Sequence, residues 1–178
     1  GQNAGESITT GIANTLIGGL SGDAITDADY NVALGYSALS GNTVGSKSVA
    51  IGTSALFRQN PASAADMHNV AIGHNTGENV TTGQANTIIG GLAGDSITTG
   101  GYNSLLGYSS GTAITEGVRN VCVGDRAGVN ITTGDDNIMI GANNNASAVG
   151  ANNNIVMGFE VTGVGANNFT FGNTSTDS

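Results

Sequence analysis

The side chains in this chain that could do acid–base, nucleophilic or metal chemistry are few and scattered. His68 and His74 are its two histidines, and Cys122 is its one cysteine. Nucleophilic catalysis needs a Ser, Cys or Thr beside a base, and glycan cleavage needs a facing pair of carboxylates. Neither histidine stands in a Ser/His/Asp or Cys/His pattern. Cys122 falls at an apolar repeat position, which predicts a buried small hydrophobe. No catalytic residue is therefore expected, and the chain reads as no enzyme. Gly18-Gly-Leu-Ser-Gly-Asp23 and Gly90-Gly-Leu-Ala-Gly-Asp95 approach the Gly-Gly-x-Gly-x-Asp calcium pattern, which recurs about every nine residues so that carboxylates of successive turns converge. Here the spacing is off by one and the period is 17. Corner glycines with a turn-forming Asp explain both copies, and Asp23, Asp27 and Asp29 are the group that an isolated ion would use. The expectation is no metal and no cofactor.

Composition narrows the partners. Net charge is −9 with four formal cations, Lys47, Arg58, Arg119 and Arg126. Four cations cannot build a stripe that tracks phosphates, so no nucleic acid is expected, and an anionic membrane surface is disfavoured for the same reason. No apolar run approaches the roughly 20 residues that span a bilayer, so no membrane insertion is expected. There are 30 Gly, one Pro and no Trp, while 38% of residues are hydrophobic. That is too apolar for disorder and too poor in large side chains for a thick core, which fits a thin repetitive β core.

The elements that would position any site come from one repeat. Ten times, Asn (once Ser) precedes three mostly apolar residues and a Gly, starting at Asn14, Asn31, Ser48, Asn69, Asn86, Asn103, Asn120, Asn137, Asn154 and Asn168. The intervals are 17, 17, 21, 17, 17, 17, 17, 17 and 14 residues. A fixed short period means one unit stacked on itself, so the expected fold is an all-β parallel β-roll or β-solenoid of about ten rungs. Residues 4–38 match 76–110 with 22 identities in 35, an offset of four rungs. The whole chain, 1–178, reads as a single solenoid segment. Its first residues fall in mid-repeat, which suggests a piece of a longer fibre.

Within a block, β-branched and apolar residues alternate as in a strand, and the closing Gly suits a corner. The middle residue of the block is the informative one. It reads Leu16, Ala33, Ala50, Ala71, Ile88, Leu105, Cys122, Met139, Val156 and Thr170, nine of ten apolar. A strand apolar on both faces is buried on both, so this column is assigned to an oligomer interface, with the flanking residues lining the coil. A second strand per rung is expected at Ile8-Thr9-Thr10-Gly11, Val80-Thr81-Thr82-Gly83, Ile97-Thr98-Thr99-Gly100 and Ile131-Thr132-Thr133-Gly134. Its Ile or Val would point inward, and its two adjacent threonines to opposite sides. The block Asn is expected to stack and hydrogen-bond from rung to rung.

Asn31-Val-Ala-Leu-Gly35, Ser48-Val-Ala-Ile-Gly52 and Asn69-Val-Ala-Ile-Gly73 closely resemble the head repeats of trimeric autotransporter adhesins. The resemblance extends through Ala38-Leu39, Ala55-Leu56 and Ala93-Gly94 and covers nearly the whole chain. The longer rung bearing Thr-Thr-Gly is more similar to repeats of bacteriophage tail fibres. What the resemblance implies is a left-handed roll assembled as a side-by-side homotrimer, joined to neighbouring fibre segments. The location implied is a virion appendage or the extracellular cell surface.

On such a rod, specificity is expected where the repeat breaks. The 21-residue rung carries an inserted loop, 57–68, with the sole Pro61. Phe57, Arg58 and His68 are the candidate receptor contacts, and a host cell-surface glycan is the expected ligand. Tyr30, Tyr36, Tyr102 and Tyr108 recur with the four-rung period and are expected to pack at corners. Two rival functions use the same architecture: an ice- or surface-binding solenoid exploiting the Thr column, and a tailspike-type glycan depolymerase.

Overall fold

The structure, a computed structural model, describes residues 1–173. Each apolar block forms a short strand: β1 (Thr15–Ile17), β2 (Val32–Leu34), β4 (Val49–Ile51), β6 (Val70–Ile72), β7 (Thr87–Ile89), β8 (Ser104–Leu106), β9 (Val121–Val123), β10 (Ile138–Ile140), β11 (Ile155–Phe159) and β12 (Phe169–Asn173). These ten lie in chain order in one parallel sheet, so about nine turns of a solenoid separate the first strand from the last. Register follows the repeat: Leu16 lies beside Ala33, Ala50 beside Ala71, Met139 beside Val156. β3 (Gly45–Ser46) and β5 (Ala65–Asp66) make a separate two-stranded pair. Among the described residues there is no helix.

Corners fall at fixed repeat positions. The residue before each block is left-handed whatever its type, for example Ala13 (φ 58°), Lys47 (φ 61°) and Asp136 (φ 59°). The closing glycines lie further out, between φ 120° at Gly141 and 142° at Gly35 and Gly73. Rungs also approach closely there: a Cβ on Gly124 would fall 2.6 Å from the carbonyl oxygen of Gly141. Both reasons exclude a side chain, which accounts for Gly in all ten blocks.

The block Asn builds the expected ladder. Asn103 donates its backbone N–H to Asn86 Oδ1 (3.0 Å) and its Nδ2 to the same oxygen (3.1 Å) and to Gly117 O (2.9 Å). Asn120 and Asn137 repeat the pattern, all fully buried. Each amide thus satisfies its own buried donors and those of the next rung.

Two expectations are corrected. The middle column Ala33, Ala50, Ala71, Ile88, Leu105, Cys122, Met139 and Val156 is buried within the single chain, with Leu16 packed against it in the first rung. These residues line the coil of their own chain and cannot form an oligomer interface. The Asn explains why: it lies two residues before the middle position, on the same strand face, and its amide must be inside to be satisfied. Two of the three alanines of the middle column are matched inside the rung. Ala33 and Ala50 are accompanied by buried Leu39 and Leu56, where Leu16, Ile88 and Leu105 face Gly22, Gly94 and Gly111. Core volume is conserved by exchange in these rungs, and Ala71, with Gly77 six residues on, is the exception.

The second correction concerns the Thr-Thr segment, which is a bend. Thr26 O accepts three successive N–H groups, from Thr9 (3.1 Å), Thr10 (3.2 Å) and Gly11 (3.0 Å), and Thr98 O does the same for residues 81–83. Convergence on one carbonyl leaves no strand ladder, so both threonines face outward. Thr9, Thr26, Thr81 and Thr98 donate their hydroxyls to the next rung's carbonyl. The inward half of the expectation holds for Ile25, Val80, Ile97, Ile114 and Ile131, which are fully buried, but not for Ile8 of the first rung, which is 37% exposed.

Replacing Gly124 by Ala is predicted to cost about 2–3 kcal/mol or more through backbone strain and the clash with Gly141. Ala85→Gly, at a left-handed corner (φ 56°), is predicted to be neutral or stabilising by up to about 1 kcal/mol. Thermal unfolding of the two variants checks the contrast.

Candidate assembly face and inserted loop

With the middle column turned inward, the two flanking residues of every block face out. One outer column runs Thr15, Val32, Val49, Val70, Thr87, Ser104, Val121, Ile138, Ile155, Phe169; the other runs Ile17, Leu34, Ile51, Ile72, Ile89, Leu106, Val123, Ile140, Met157, Phe171. None of these twenty positions carries a charge, on a chain of net charge −9. Ile17 is 56% exposed, Leu106 50% and Phe171 69%. The result is an uncharged, mostly apolar ribbon two side chains wide, interrupted by Thr15, Thr87 and Ser104, and ten rungs long, about 48 Å at about 4.8 Å per rung. At its last two rungs Met157, Phe169 and Phe171 line a shallow depression, with the two Phe rings stacked at 5.6 Å.

Each strand ends in an exposed rim. The leading rim, the residue before the block, holds Tyr30, Lys47, His68, Tyr102, Arg119 and Asp136; the trailing rim, the residue after the block Gly, holds Tyr36, Thr53, His74, Tyr108, Asp125 and Phe159. The four tyrosines are 56–64% exposed rather than packed away. Lys47 pairs with Asp66 at 2.6 Å. Arg119 grips Asp136 of the next rung with two bonds, 2.6 and 2.9 Å. That guanidinium holds the Asp136 carboxyl below the usual carboxylate range. A lowered folded pKa means that the pair supports the fold at neutral pH and fades as acid protonates Asp136.

The insertion is less of a projection than expected. Thr43 still bonds Asn60 at the 17-residue offset (2.7 Å), whereas Gly45 pairs with Ala65, twenty residues on. Extra chain therefore enters after Asn60. Pro61 and Met67 are buried, and residues 62–64 form the exposed tip. The structure does not gather the three candidate contacts into one column. Phe57 (half-buried) and Arg58 (exposed) follow Ser40 and Gly41 along the rod, with Gly41 N donating to Phe57 O (2.8 Å). His68 sits at a left-handed corner (φ 52°) of the leading rim.

Beneath the loop lies a feature that the sequence reading missed. Ser48 interrupts the Asn ladder and has no amide for the next rung. Gln59, fully buried, supplies one: its Oε1 accepts from Ser48 Oγ (3.1 Å) and Asn69 Nδ2 (2.9 Å). Asn42, one rung earlier in the same inward column, bonds Gly45 in both directions (2.7 and 3.1 Å). The signal was present: Asn42 and Gln59 replace the inward Ile or Val only in the rungs adjoining Ser48.

Other reactive groups are isolated. Cys122 is buried and its thiol is pushed up to about 12 by desolvation, which suppresses the thiolate. Among the described residues, no three His, Cys, Asp or Glu side chains converge as metal ligands. Asp23, Asp95 and Asp27 accept hydrogen bonds from Ser40, Thr112 and Thr10, so they act as rung-to-rung ties. No protein-family model, curated protein or solved structure matches the chain.

Gln59→Ala leaves Asn69 and Ser48 short of a buried acceptor and is predicted to cost about 1–3 kcal/mol. Asn42, Gln59 and Ser48 replaced together by Ile, Ile and Asn, the residues of regular rungs, should recover most of that loss in denaturant melts.

Proposed function

We propose that this chain is a non-enzymatic structural and attachment segment of an extracellular fibre, held together by its own apolar sheet face. The observation that carries the reading is the uncharged, ten-rung ribbon with polar and aromatic rims. A monomeric protein rarely leaves so long a contiguous apolar surface in water, and an apolar centre with a polar rim is the layout of an interface. With its rims the face measures about 48 by about 20 Å, on the order of 1,000 Å², against about 800 Å² per partner in a stable contact. A second copy of the chain is the occupant that matches it in length and rung spacing. The resemblance to adhesin and tail-fibre repeats favours three copies side by side with left-handed winding. It also favours a virion appendage or cell-surface location and contact with a host glycan. Three weak sites on one rod would gain avidity. Receptor contact is assigned to the exposed surface of the insertion, where Arg58, His68 and residues 62–64 break an otherwise uniform rod.

Light scattering of the unmodified protein should give an oligomer. Ile72→Asp together with Leu106→Asp should yield a folded monomer of unchanged circular dichroism, because both side chains lie outside the chain's own core. A folded monomer for the unmodified protein refutes the reading.

Deleting residues 62–65, which brings the expanded rung back to 17, should leave assembly intact and lower binding to receptor-bearing cells or a glycan array. Undiminished binding would show that the insertion is not the contact.

A further inference from the structure

In six rungs the two rims match one another, although no rung brings them together within one chain. At the rung of β2 they are Tyr30 and Tyr36; at β6, His68 and His74; at β9, Arg119 and Asp125; at β1, the small pair Ala13 and Gly19. The duplication repeats two of these matches, as Ala85 with Gly91 and Tyr102 with Tyr108. Three further rungs, at Lys47, Asp136 and Asn153, set unlike residues together but never like charges. In those six rungs large meets large, small meets small, or cation meets anion, each at a separation of six residues.

Six residues on either side of a strand and its corner span about 15–20 Å, beyond side-chain contact. The match has no use inside one rung. Between copies it has one. When copies are related by rotation about an axis along the rod, the leading rim of one lies against the trailing rim of the next at the same rung. An axis across the rod brings leading rim to leading rim from opposite ends, and the matches are lost.

We propose that copies of this chain align parallel and in rung-for-rung register, and that the rim pairs Tyr30–Tyr36, His68–His74, Tyr102–Tyr108 and Arg119–Asp125 form between chains and fix that register. The proposal rests on the assembly reading above and supplies what the apolar ribbon lacks. The ribbon is Val, Ile and Leu in most rungs, with Thr15, Thr87 and Ser104 and the terminal Phe169 and Phe171 as exceptions, so sliding by one rung would leave most of it buried; register is weakly specified by such a surface. Unequal rims penalise the slip, since moving one rung sets Tyr30 against Gly19 and Arg119 against Ala142 or Tyr108. Arg119 is suited to bridging, because its fork already holds Asp136 and retains donors for a second carboxylate.

The four tyrosines allow a test on the unmodified protein. A mixture of light and nitrogen-15-labelled chains is assembled, its oligomeric state is checked by light scattering, and exposed tyrosines are coupled by photo-oxidation. Mass spectrometry then identifies the joined peptides. The expected products are mixed-isotope links of Tyr30 to Tyr36 and of Tyr102 to Tyr108, with cross-rung links several-fold rarer. An oligomer whose links join Tyr30 or Tyr36 to Tyr102 or Tyr108, join like to like, stay within one isotope, or are absent overturns the register while leaving assembly standing. A monomer in light scattering overturns the assembly reading and the register with it.

Discussion

Hydrogen bonding along the rod, from each rung to the next, is the constraint on which this architecture depends. Strands of three residues have almost no pairing of their own, yet each block exchanges bonds with the blocks above and below, as in Val49 N to Asn69 O (2.8 Å) and Gly52 N to Leu34 O (2.8 Å). The buried Asn extends this ladder into the side chains. Its amide oxygen accepts from the following rung while its Nδ2 satisfies a Gly carbonyl. Because these bonds need a fixed rise and a fixed lateral position, any rung of different length must return to register before its next Asn. The 21-residue rung does so through the β3–β5 pairing and buried Pro61 and Met67.

A coil this narrow encloses few side chains per turn, as at β9, where Asn120, Cys122, Ala127 and Ile131 are the buried ones. That explains the exchange between the middle column and the residue six further on, where Ala33 and Ala50 appear with Leu and Leu16, Ile88 and Leu105 with Gly. It also explains the scarcity of large aromatics inside. Tyr30, Tyr36, Phe159, Phe169 and Phe171 are all exposed. A thin core contributes modest burial, so a rod of this kind gains from covering its outer sheet face as well. The proposed assembly connects the two requirements: the sheet that closes each coil inward presents its remaining side chains outward as one continuous surface.

The insertion shows how a break in the ladder is repaired. Loss of the amide at Ser48 would strand donors in a dry interior. Gln59 and Asn42 restore acceptors at the cost of two apolar inward positions. The resulting patch of buried amides underlies the only expanded rung, so the same local change that disturbs the core raises the exposed tip at 62–64.

The period, the parallel stacking, the Gly corners, the inward Ile or Val and the Asn ladder were all legible in the sequence. Each follows from residue type at a repeated position, and ten copies leave little freedom in where a strand and a corner fall. Which face of the strand is inside was not legible. Both faces are apolar, alternation alone is symmetric between them, and the deciding fact is that a buried Asn shares its face with the middle residue of the block. Leu16, Ala33 and their column therefore passed from expected interface to core. The second strand of each rung was likewise decided only by the tertiary structure. Thr-Thr-Gly has strand-like composition, but three of its N–H groups converge on a single carbonyl of the next rung. Repair by Gln59 depended on the coil bringing residues eleven apart face to face, which local spacing does not reveal. The repeat determined what stacks on what; only the closed coil determined which side chains it encloses and which it leaves for a partner.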